Sequence, residues 1–132
     1  MLGHLGLNVP DLGLAKSYYD DFMPLLGYTT FFVAEDELAY RPANDKPGTY
    51  IFFYPSMADA GYSPDAIGLQ HLAFMVKTRS AVRAVHGHAV AMGSTILHSP
   101  RRFPEYPPPY YATFWLDPFG FKLEAVCHRD AE

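Results

Sequence analysis

The chain has 132 residues, 49% hydrophobic and 16% aromatic, enough apolar material for the core of one compact domain. Its net charge is -4, and among ten Lys and Arg only Arg101 and Arg102 are adjacent, so nothing in the charge pattern calls for nucleic acid. No apolar run approaches the roughly 20 residues of a membrane helix, no signal peptide is visible, and the lone Cys127 has no internal disulfide partner, so a cytoplasmic setting with no membrane partner is expected.

The chain opens on His-Leu-Gly-Leu-Asn-Val (residues 4–9), and a second copy, His-Leu-Ala-Phe-Met-Val, stands at 71–76. Read as strands, alternate side chains share a face, which puts His4, Gly6 and Asn8 opposite Leu5, Leu7 and Val9. His71, Ala73 and Met75 likewise stand opposite Leu72, Phe74 and Val76. In both copies the aliphatic side suits helix packing and the histidine takes the other side. A helix signal follows the first copy: Asp11 as N-cap, apolar residues at Leu14, Tyr18, Phe22 and Leu25–Leu26, and Gly27 as the stop. Strands are expected near 28–34, 37–41 and 49–54. After the second copy Thr78 or Ser80 can cap a helix, with Val82, Val85, Ala89 and Met92 at helical spacing and Gly93 as the stop. Strands are then expected near 94–98, 110–116 and 121–127. Residues 99–109 carry five prolines and read as a loop, not a central strand. The expected organisation is α+β: one domain over 1–132, built of two βαβββ modules (about 1–55 and 68–128) joined by a linker at 56–67.

Aligning the last strands of the modules on Gly48 and Gly120 sets Phe52 opposite Glu124. A carboxylate among Leu123, Ala125, Val126 and Cys127 is costly to bury unless a metal ion or an arginine pairs with it. His4, His71 and Glu124 make two imidazoles and one carboxylate. That set suits Fe(II) with open positions, and three protein ligands plus water also suit catalytic zinc. Tyr50, Phe52 and Tyr54 share the strand face equivalent to that of Glu124 and form a candidate aromatic wall for a substrate. Arg101 and Arg102 are candidates to grip a carboxylate or phosphate, and Tyr110 and Tyr111 to donate hydrogen bonds. His98 and Tyr54 are the candidate acid–base groups outside the triad.

The doubled layout, the histidines on both opening strands and the closing Asp-Pro-Phe-Gly-Phe-Lys-Leu-Glu (residues 117–124) resemble the glyoxalase/bleomycin-resistance/dioxygenase superfamily, also called vicinal oxygen chelate proteins, over essentially the whole chain. The resemblance implies two modules forming a cupped, half-open β-barrel around one divalent metal (Fe, Zn, Ni, Mn or Co) held by His4, His71 and Glu124. It also implies a small oxygenated substrate, a homodimer, and lyase or isomerase chemistry through a metal-chelated enolate. Fe(II) dioxygenase chemistry and non-catalytic binding of a drug or metabolite are the alternatives. The sequence departs from glyoxalase I in having no carboxylate among Ile51, Phe52, Phe53 and Tyr54. It departs from extradiol dioxygenases in carrying Phe114 at the tyrosine position of their closing motif.

Overall fold

The structure, a computed structural model, describes all residues from 1 to 132. The chain divides into two compact units, Met1–Gly61 and Tyr62–Glu132. Each runs in the order strand, helix, three strands, the α+β layout expected from the duplicated phrase.

The first unit comprises β1 (His4–Val9), α1 (Leu12–Phe22), a 3-10 turn (Met23–Leu26), β2 (Tyr28–Ala34), β3 (Glu37–Pro42) and β4 (Tyr50–Pro55). The sheet order is β1-β4-β3-β2, with β1 parallel to β4 and the other pairs antiparallel. Asp11 caps α1 by accepting the amide of Leu14 at 3.0 Å. Gly27, at φ 83°, ends the 3-10 turn in the left-handed region that glycine enters without steric penalty. The helix buries Ala15, Tyr18, Tyr19 and Phe22, and the sheet answers with Leu7, Val9, Leu38, Tyr40, Ile51 and Phe53, all buried. Tyr19 lies on Phe53 at 4.6 Å between ring centroids, and the Tyr40 hydroxyl donates to Asp20 at 2.8 Å. Leu14, expected on this apolar stripe, is exposed instead. Because the Asp11 side chain satisfies an amide that the helix itself leaves unpaired, Asp11→Ala is expected to cost about 1 kcal/mol. The measurement is a lower urea midpoint at unchanged slope.

The second unit comprises β5 (Leu72–Met75), α2 (Arg79–Ala91), β6 (Ile96–Arg102), β7 (Tyr111–Leu116) and β8 (Lys122–Cys127), with sheet order β5-β8-β7-β6 and β5 parallel to β8. Thr78 is the helix cap, accepting the amide of Ala81 at 3.0 Å. Val82, Val85 and Ala89 of α2 are buried, as are Trp115, Leu123, Ala125 and Cys127 of the sheet. The motif at 117–120 sets the register of the closing hairpin. The Asp117 carboxylate accepts the amides of Phe119 and Phe121, both at 2.9 Å, and Gly120 turns at φ 89°. Leu116 thereby pairs with Lys122, and Phe114 with Glu124.

Two local expectations are corrected. The chain at 99–102, read as loop with the rest of the five-proline segment 99–109, continues β6. That strand is the sheet edge and its register slips twice, between Ile96 and His98 and between His98 and Arg101. An irregular edge tolerates a residue without an amide donor. His71 stands immediately before β5 and not inside a strand.

Candidate functional site

In each sheet the face opposite the buried, helix-packed residues carries a candidate pair, Phe52 beside His4 in the first and Glu124 beside His71 in the second, and the two registers coincide. In the first unit β1 sets Gly6, two residues after His4, opposite Phe52. In the second β5 sets Ala73, two residues after His71, opposite Glu124. Phe52 and Glu124 are therefore equivalent positions, as the glycine alignment predicts.

Glu124 is fully buried, with 0% of its surface exposed. A buried, unpaired carboxylate costs on the order of several kcal/mol, a large share of the roughly 5–15 kcal/mol by which domains are stable. Its surroundings satisfy only one of its two oxygens. The Tyr110 hydroxyl donates to Oε2 at 2.5 Å, whereas Oε1 makes no hydrogen bond. The only basic group within ion-pairing reach is His71, whose Nε2 lies 3.3 Å from Oε1 without forming a hydrogen bond. No guanidinium or ammonium pairs with this carboxylate.

The partner of the other nitrogen of His71 bears on which ring nitrogen holds the proton. Nδ1 is in hydrogen-bonding contact with Oε1 of Gln70. An amide oxygen has no proton to give, so the Nδ1 proton is the donor there. In the neutral ring Nε2 is then bare, and two lone-pair-bearing atoms, Nε2 and Oε1, face each other. Such a pair is repulsive alone and fits a cation between its members: neutral imidazole and carboxylate are ordinary ligands for divalent transition metals. No group of three or more His, Cys, Asp or Glu side chains in the structure is placed to hold an ion; His71 and Glu124 lie in the second unit and His4 in the first.

On β1 the His4 ring is exposed and meets Phe52 edge-on at 5.4 Å. Phe52 stacks on Tyr54 at 6.2 Å, and Phe31 reaches Tyr50 at 5.0 Å. Tyr50, Phe52 and Tyr54 of β4 thus share the His4 face, while Phe53 turns to Tyr19 of the helix. Gly6 keeps that face open, since a Cβ there would stand 3.3 Å from the Tyr54 ring. The Tyr54 hydroxyl donates to Glu37 at 3.3 Å. Desolvation and the neighbouring carboxylate both push the hydroxyl pKa up. Glu37 is a carboxylate on the aromatic face that the sequence reading missed. It comes from β3, and only the β3–β4 register, with Leu38 opposite Phe53, brings it to Tyr54.

In the second unit His98 is exposed on β6, its ring against Phe114 at 5.5 Å and Phe103 at 5.6 Å. His71 reaches the same Phe114 at 6.2 Å, so the two histidines flank one ring. Phe103 and Tyr110 close the loop between β6 and β7 through a 3.0 Å backbone hydrogen bond and pack over Phe114 and Val126. Arg101 stacks on Phe103 at 3.8 Å. Arg102 lines a cavity of about 470 Å³ with Arg79, Phe103, Pro108 and Tyr110; neither His71 nor Glu124 borders it. Tyr111 does not join this group. Strand alternation sends it to the helix side opposite Cys127, where Arg79 and Arg83 lie over its ring.

Comparison with known proteins agrees with this architecture. The family model described as Glyoxalase/Bleomycin resistance protein/Dioxygenase superfamily matches residues 1–125. No curated protein matches the chain. Among solved structures, a glyoxalase-type protein from Bacillus halodurans is 27% identical, with a TM-score of 0.82 over 96% of this chain and 95% of its own. A glyoxalase/bleomycin resistance protein from Albidiferax ferrireducens is 22% identical, with a TM-score of 0.77 over 98% and 99%. Lactoylglutathione lyase from Agrobacterium tumefaciens is 19% identical, with a TM-score of 0.67 over 96% and 92%. No helix of the chain is long and apolar enough to cross a membrane.

Proposed function

Because the chain belongs to the Glyoxalase/Bleomycin resistance protein/Dioxygenase superfamily, we propose that it is a divalent-metal-dependent enzyme acting on a small oxygenated substrate, with lyase or isomerase chemistry through an enolate. One observation carries the reading: the buried Oε1 of Glu124, without a hydrogen bond, facing Nε2 of His71 at 3.3 Å. His71, Glu124 and His4 would hold the ion, whether the ligands meet within one chain or across a homodimer. When bound, a divalent ion supplies positive charge that stabilises a developing substrate oxyanion.

The remaining roles fall to the chain's own side chains. His98, exposed beside Phe114, and Tyr54, hydrogen-bonded to Glu37, are the groups able to move a proton. Tyr50 and Phe52 would hold the apolar body of the substrate. Arg101 would meet its polar end, whereas Arg102 lines a cavity that neither His71 nor Glu124 borders and the Tyr110 hydroxyl is engaged by Glu124.

The test is metal content after anaerobic purification. Wild type is expected to retain stoichiometric metal and His71→Ala to lose it while staying folded. A second reading, a non-catalytic binder, is favoured by the exposed aromatic face around Phe31 and Tyr54. A folded, metal-free wild type that still binds aromatic ligands would replace the enzyme reading with that one. Oxygen uptake with catechol-like compounds would move the reaction to dioxygenation.

A further inference from the structure

We propose that Gln70 and Tyr110 are positioning residues that ready His71 and Glu124 for a divalent cation, Gln70 by fixing the proton on Nδ1 of His71 and Tyr110 by occupying one oxygen of Glu124. The inference rests on the metal reading above and extends it to two residues that would touch neither ion nor substrate in that role.

Each contact does a separate job. A neutral imidazole exchanges its proton freely between two nitrogens, and only the bare one can bind a metal. The Gln70 oxygen accepts from Nδ1, which leaves Nε2 bare on the side of Glu124. Gln70 is itself exposed, so it carries no share of the core. Glu124 has two oxygens. The Tyr110 hydroxyl takes Oε2, so the carboxylate is held in one rotamer with Oε1 toward His71.

Tyr110 is not free to swing away. Its carbonyl accepts the Phe103 amide at 3.0 Å, and its ring touches Tyr106 at 4.8 Å and His128 at 5.0 Å. Outer contacts of this kind fix the orientation of metal ligands, and their loss costs about 10- to 100-fold in affinity.

The experiment reads the metal-free protein first. Nitrogen-15 NMR of His71 is expected to show the Nδ1–H tautomer in wild type, a mixture in Gln70→Ala, and restoration in Gln70→Glu, which keeps an oxygen acceptor. Titration with Co2+ is then expected to give about 10- to 100-fold weaker binding in Gln70→Ala and Tyr110→Phe. An altered visible spectrum is expected in Tyr110→Phe, where Oε2 is released. Circular dichroism melts confirm that each variant is folded. If wild type binds Co2+ but both variants bind equally well, or the tautomer is unchanged in Gln70→Ala, the positioning role is overturned and the metal reading survives. If wild type takes up no Co2+, both fail.

Discussion

Glu124→Gln is expected to abolish metal uptake and, in the same protein without metal, to raise stability. The two effects share one cause. In wild type the Tyr110 hydroxyl satisfies Oε2, while Oε1 is buried with only the His71 Nε2 in front of it. Gln has nearly the same shape. Its amide oxygen can accept from Tyr110, and its amide nitrogen then turns toward Nε2 as a donor. A buried charge disappears and two facing lone pairs become a hydrogen bond. Satisfying one buried polar group in this way is worth about 1–3 kcal/mol. The urea midpoint of the metal-free variant should therefore rise at unchanged slope.

The same substitution removes the proposed anionic ligand, and Co2+ affinity should fall by more than the roughly 100-fold upper range seen for outer contacts alone. Wild type, unlike the variant, should gain stability as the ion is added, because binding to the folded state alone shifts the unfolding equilibrium. A variant less stable than metal-free wild type would mean that the carboxylate is already well satisfied. A variant that keeps its metal would remove Glu124 from the site. Either result undoes the central inference about this residue.

How far the sequence announces this arrangement depends on the range of the interactions involved. Asp11 and Thr78 are readable as caps because a cap is a contact over three residues. The equivalence of Phe52 and Glu124 is readable because the register is fixed locally, by the Asp117–Gly120 turn in the second unit. Pro100 misleads, because proline's cost in a strand depends on whether the strand lies at an edge, and edge position is a property of the whole sheet. Tyr110 and Tyr111 look interchangeable in the chain. The first turns to Glu124 and the second to Arg79 and Arg83, a difference set by the phase of β7 against the loop before it. Glu37 and Gln70 carry no motif. Glu37 depends on hairpin register, and Gln70 depends on a side-chain rotamer beside His71 that periodicity does not encode.

His4→Ala is expected to cost as much metal affinity as His71→Ala, yet to leave His71 unchanged. His4 occupies in the first unit the position that His71 holds in the second, two residues before the residue paired with Phe52 or Glu124. Its own sheet offers no carboxylate beside it on β4; the equivalent position is the Phe52 ring, edge-on at 5.4 Å. His71 and Glu124 would in turn supply only two ligands, and protein sites for such ions ordinarily supply at least three. If His4 completes the set, removing it should weaken Co2+ binding by about 100-fold or more, beyond the usual range for a contact outside the ligand shell.

Because the His4 ring is exposed, its loss should change stability by no more than about 0.5 kcal/mol. The His71 tautomer should stay as in wild type, since Gln70 is untouched. That combination, affinity lost with fold and tautomer kept, is what separates a ligand from a structural strand residue. Should His4→Ala bind Co2+ as wild type does, the ion rests on the second unit and on ligands other than His4. The repeated His-Leu would then mark only the opening of two similar strands.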